Sequence, residues 1–111
     1  MKPAFKFTNT KGVKYDIVFR KPHKANGEHV DGLCEDPCEA KANYDPRIYI
    51  NPYLTKKSEL NTCIHEIAHA FFWDKSETDI ARFADTASNF LYQNGWRLPK
   101  RKFHSPPRKK K

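Results

Sequence analysis

Glycine and cysteine are scarce in this chain of 111 residues: there are four glycines and three cysteines, and no long apolar run. Each shortage closes off a class of protein. Three thiols, Cys34, Cys38 and Cys63, leave one unpaired in any scheme, so the chain does not read as a disulfide-stapled secreted scaffold. No apolar run approaches the roughly 20 residues that span a bilayer, which argues against a membrane partner. The opening Met1-Lys2-Pro3-Ala4-Phe5-Lys6-Phe7 lacks the apolar core of a secretory signal, and a cytoplasmic protein is the expectation. There is no internal repeat and no glycine-rich phosphate loop. What is present is a 38% apolar fraction rich in aromatics, enough for one folded domain with a modest core.

The formal charge of +8 suggests a nucleic-acid binder until it is divided along the chain. Residues 100–111 hold seven basic groups and no acid, which leaves 14 basic and 13 acidic residues for positions 1–99. The body is close to neutral, and the basicity belongs to a terminal tail. With Pro106-Pro107 and little to bury, that tail is expected to be disordered, leaving residues 1–99 as the domain. The tail reads first as a solubilising terminus and second as a non-specific contact with phosphate backbones, and a neutral body argues against an extended binding surface.

Phe5–Thr8 alternates and runs into the turn-forming Asn9-Thr10-Lys11-Gly12. Val13 to Phe19 then alternates cleanly, with Val13, Tyr15, Ile17 and Phe19 on one face, and reads as a half-buried strand. Residues 21–46 carry Pro22, Gly27, Gly32, Pro37 and Pro46 and read as a long irregular connection. Arg47–Asn51 is β-rich and bracketed by Pro46 and Pro52, which suits an edge strand able to accept an extended peptide. A helix is expected from about Lys57 to Trp73, with Leu60, Ile64, Ile67, Ala68, Phe71 and Phe72 as its apolar positions. A second starts after the N-cap Ser76, buries Ile80, Phe83, Ala84, Ala87, Phe90 and Leu91, and stops at Asn94-Gly95. The expected fold is α+β: a small N-terminal sheet packed on a two-helix hairpin, with the cleft between the Arg47–Asn51 edge and the first helix.

The most informative stretch is His65-Glu66-Ile67-Ala68-His69, an H-E-x-x-H motif inside the first helical pattern. Residues i and i+4 share one helix face, so both imidazoles can reach one metal ion. Glu66 then stands beside the metal's water, where a general base is needed. A catalytic zinc site takes three protein ligands and leaves one position open. No histidine follows between Ala70 and Lys75, which points to a carboxylate on the second helix. Glu77 is the preferred third ligand, sharing an inner face with Ile80, Ala81 and Ala84. Asp79 is the rival, although its place three residues after Ser76 already fits a capping group. Asp85 is a candidate partner for a ligand histidine. A second zinc site built on Cys34, Cys38 and His29 lacks a fourth ligand, and Cys63 reads as a buried core thiol.

Several segments together resemble a known group. Tyr44-Asp45-Pro46-Arg47-Ile48-Tyr49-Ile50-Asn51-Pro52, Glu59-Leu60, Ile64 through Ala70, and Ser76-Glu77 with Ile80 are similar to small metallopeptidases common in bacteriophage genomes. These look like minimal gluzincins, related in layout to the ImmA/IrrE and SprT-like groups. The likeness runs from about Asp31 to Trp96, including Asp31-Gly32-Leu33-Cys34 and Tyr92-Gln93-Asn94-Gly95-Trp96. It implies one catalytic zinc on His65, His69 and Glu77, with Glu66 as base, in a protein of the host cytoplasm if phage-encoded. Where thermolysin-type gluzincins carry an aspartate four residues after the ligand glutamate, this chain has Ala81. Tyr92 and His104 are the side chains that come into question for stabilising an oxyanion.

The expected function is hydrolysis of peptide bonds in a peptide or protein substrate, by a monomer. Two other readings stand beside it. One is a zinc-stabilised binding module without catalysis, for which Glu66 would have no use. The other is an SprT-like protease working at DNA, for which the tail would serve.

Overall fold

One asparagine ties the first hairpin to the helix that carries the motif. In the computed structural model, which describes residues 3–22, 30–39 and 44–99, β1 (Phe5–Thr8) pairs antiparallel with β2 (Lys14–Phe19). The turn between them is closed by Gly12 at φ 85°, a conformation that glycine adopts without a Cβ clash. Asn9 is buried in that turn. Its Oδ1 accepts from the backbone N–H groups of Lys11 and Val13, and its Nδ2 donates to the carbonyl of Ala70, all at 2.9 Å.

The next two strands depart from the sequence expectation. Residues Gly32–Cys34, assigned to an irregular connection, form β3, followed by a 3-10 turn at Pro37–Glu39. Arg47–Ile50 forms β4, and β4 is not an edge. The sheet order is β1-β2-β4-β3, with β4 parallel to β2 and antiparallel to β3. The bracketing prolines stand just outside the paired residues. Proline lacks a donor but keeps its acceptor, and the Pro46 carbonyl accepts from Asp16 N–H at 3.1 Å, extending the ladder. The edge beside the helices is therefore β3.

Helix α1 (Lys56–Phe71) is capped by Thr55, whose side chain accepts from Ser58 N–H at 3.1 Å. Helix α2 (Glu77–Gln93) is capped by Ser76, which accepts from Asp79 N–H at 3.1 Å. At its end Gly95 adopts φ 91°; its N–H reaches the Tyr92 carbonyl at 3.0 Å, and Trp96 N–H reaches that of Leu91 at 2.9 Å. This pair of bonds is a Schellman stop. No helix among the described residues is long and apolar enough to cross a membrane.

The core lies between the sheet and α1. Tyr15, Ile17, Ile48 and Ile50 supply the sheet's inner face, and Cys63 and Ala70 the helix. Phe7 stacks between Tyr15 and Phe71, with ring centroids 5.3 and 5.6 Å away. Helix α2 meets α1 through Ile80, Ala84 and Ser88, spaced four apart along one stripe. Phe83 and Phe90, expected in that stripe, are 52% and 62% exposed. The phase of α2 is set by a polar clamp: Asn61 Nδ2 donates to Asp85 Oδ1 at 2.9 Å and to Ser88 Oγ at 3.0 Å, turning the two aromatics outward. The tail at 100–111, its boundary with the domain, and His29 and His104 lie outside the described residues.

Candidate metal centre

His65 and His69 stand one turn apart in the middle of α1, with ring centroids 5.0 Å apart. The short connection from Phe72 to Ser76 folds α2 back along α1, so that Glu77, the first residue of α2, faces both rings. His65 Nε2 lies 2.9 Å from Glu77 Oε2, and His69 Nε2 lies 2.9 Å from Glu77 Oε1. The ligand atoms of the three residues are all within 4.8 Å of one another. Among the described residues no other group of three or more His, Cys, Asp or Glu side chains comes together this way. A carboxylate in the first turn of a helix is also favoured by the helix dipole, which supports Glu77 where it stands.

Asp79, the alternative third ligand, is exposed and outside this cluster; its N–H is taken by the Ser76 hydroxyl. Asp85 binds Asn61 rather than a histidine. Tyr92 is fifteen residues from Glu77 along α2, about 22 Å at 1.5 Å per residue, too far to touch a reacting carbonyl. Its ring instead carries the Arg97 guanidinium at 3.6 Å. Cys34 and Cys38 are free thiols outside any ligand cluster of the described residues. Cys63 is buried in the core, and burial pushes its thiol up to about 12, so it stays protonated and inert.

The donor set suits zinc. Bonds of 2.0–2.2 Å in a tetrahedral arrangement place donor atoms about 3.3 Å apart. The separations here, 2.9 Å between each nitrogen and its oxygen and none above 4.8 Å, bracket that value. Two imidazoles and one carboxylate leave a fourth position, as a catalytic rather than a structural zinc site requires. The Glu77 side chain is 69% exposed, so the cluster is reached from solvent.

The approach is a cavity of about 270 Å³ walled by Asp31 and Gly32 of the β3 segment and by Asn61, Thr62, His65, Glu66 and Glu77. Glu66 is buried in this wall. Burial, and then the nearby Glu77 carboxylate, push its pKa up to about 8. A cation seated on the cluster acts in the opposite direction, favouring the ionised form. The one wall that sequence reasoning did not foresee is β3: three residues in a connection rich in proline and glycine carry too short a pattern to mark a strand.

A four-stranded mixed sheet under a two-helix hairpin, with a His-His-Glu cluster and a buried glutamate facing a sheet edge, defines a minimal zincin-like domain. Residues 11–94 match the family model of the M78 peptidases, described as the IrrE N-terminal-like domain, and the chain belongs to that family. No curated protein and no solved structure gives a significant match.

Proposed function

We propose that this protein is a zinc-dependent peptidase in which His65, His69 and Glu77 hold the ion and Glu66 handles the proton of the attacking water. The observation that carries the reading is the meeting of three ligand side chains from two helices, within 4.8 Å, on the rim of a cavity whose wall contains Glu66. Zinc bound there supplies a Lewis acid for the scissile carbonyl and lowers the pKa of water toward about 7. His65 and His69 bind a metal as neutral imidazoles, so protons compete with the metal for them. Glu66, aimed into the cavity from the same helix face, takes the water's proton and returns it to the leaving amine.

The β3 register supports one path for a peptide substrate. Asp31 and Glu35 direct backbone groups toward β4, through Asn51 N–H to Asp31 O at 2.8 Å and Glu35 N–H to Arg47 O at 3.0 Å. Antiparallel alternation then turns the N–H and C=O of Gly32 and Cys34 toward the open edge. An extended peptide adds to that edge and passes the metal cluster, the same strand-addition mode expected from the sequence but on a different strand. The openness of the cavity and the exposure of Glu77 favour this reading over a closed structural zinc site.

The test is elemental analysis of purified protein combined with cleavage of a mixed peptide library. About one zinc per chain is expected, and Glu66→Gln is expected to keep the zinc and lose on the order of 10²–10⁴-fold in turnover. Protein that stays free of metal and indifferent to added zinc ends the enzymatic reading.

A further inference from the structure

The three glycines of the described residues divide sharply. Gly12 and Gly95 have positive φ and open space where a Cβ would stand, so each serves its turn. Gly32 is the reverse: its backbone is ordinary for any residue, and the space around it is full. A Cβ there would lie 2.6 Å from Thr62 Cγ2 and 2.9 Å from both Cγ and Oε2 of Glu66. Carbon atoms pack at about 3.5–4.0 Å, so all three contacts are impossible without movement.

We propose that Gly32 is a positioning residue for Glu66, its bare Cα forming the floor against which the glutamate side chain is held in the cavity wall. This inference rests on the reading of Glu66 as the base. Thr62 and Glu66 are one turn apart on the face of α1 that meets β3, so a side chain at 32 enters between them. Thr62 is β-branched and stiff in a helix, which limits how far its methyl can turn aside. The edge is pinned on both sides of Gly32–Cys34 by the bonds from Asn51 and to Arg47, so it does not recede freely. Glu66 has the most rotamer freedom of the three, and it gives way. The same position also offers its N–H and C=O to the open edge, so one residue sets both the carboxylate and the first substrate contact.

The experiment compares Gly32→Ala, Gly32→Ala/Thr62→Ala and Glu66→Gln in zinc-loaded full-length protein, reading zinc content, melting temperature and calorimetric affinity for acetohydroxamic acid. This chelator gives up a proton as it binds metal, and a correctly placed Glu66 receives it. Gly32→Ala is expected to keep its zinc and to weaken acetohydroxamate binding by roughly ten- to a hundredfold, matching Glu66→Gln. The double variant removes the 2.6 Å contact with Thr62 and keeps both contacts with Glu66, so it folds more readily and remains impaired. Wild-type chelator affinity in either glycine variant, while Glu66→Gln is weakened, overturns the positioning role and leaves the base intact. Wild-type affinity in Glu66→Gln overturns both. A loss confined to melting temperature reduces Gly32 to a packing residue.

Discussion

Helix α1 has two neighbours in the sheet that treat its polar groups in opposite ways. Toward its C-terminal end, beside the β1–β2 hairpin, the buried polar group is Asn9. It donates to Ala70 O and accepts from Lys11 and Val13 N–H, and the stack Tyr15–Phe7–Phe71 closes over the hairpin. Toward β3 the buried polar group is Glu66, held against a bare glycine and facing another carboxylate, with its pKa pushed to about 8. One side holds an amide side chain bonded three times over; the other keeps a desolvated acid at the rim of an open cavity. A domain this small puts its hydrogen-bonded anchor and its perturbed acid on different stretches of a single helix.

Removing a group from each side sharpens that contrast. The largest effect is expected for Glu77→Ala, which should weaken zinc binding by at least the ten- to hundredfold seen for supporting groups around metals, while Asp79→Ala leaves it near wild type. Equilibrium competition with a chromophoric chelator measures both, and the opposite order would move the ligand role to Asp79. Asn9→Ala should cost about 2–3 kcal/mol by stranding the partners of a buried side chain, with zinc stoichiometry unchanged. Urea unfolding reads that loss, and lost metal binding at the same time would mean that the two sides are not separate.

A smaller effect distinguishes the sides by pH in zinc-free protein. Because Glu66 titrates near 8 in the fold and near 4.5 as an unperturbed carboxyl, the unfolded chain releases its proton first as pH rises. Its contribution to stability therefore declines between about 4.5 and 8. The rest of the chain is common to both proteins, so the difference in melting temperature between wild type and Glu66→Gln isolates this carboxyl. That difference should widen toward pH 8, and a flat difference would mean Glu66 is solvated. Smallest of all, Phe90→Ser on the outward face of α2 should change stability by less than about 0.5 kcal/mol, a value thermal melting can bound.

Much of the site was legible because it is local. Two histidines four residues apart announce a shared helix face, Ser76 announces a helix start, and Asn94-Gly95 announces its stop; each is a property of a few consecutive residues. The third member of the cluster was reachable from the sequence, since the second helix begins only eight residues after His69 and offers Glu77 as its first residue. Reading failed where partners are distant in the chain. Pro46 and Pro52 made β4 resemble an edge, yet both flank the paired residues and β4 is bonded on both sides. Phe83 and Phe90 fit the apolar period of α2, but the Asn61 clamp rotates the helix so that smaller residues are buried instead. Gly32 looked like one breaker among several in a loop, and nothing near it in sequence reveals Thr62 and Glu66.

The amino-acid sequence on its own determined the two helices, the cap and stop of the second, the neutral body with its basic tail, and the i, i+4 pair of imidazoles, because helical geometry is dictated by neighbours within one or two turns. Only the tertiary structure decided which strand borders the His65, His69 and Glu77 cluster, which face of α2 is buried, and that a glycine lies against Glu66. Those outcomes depend on register and close packing between segments distant in the chain, where the steric fit of a single Cβ outweighs any local preference.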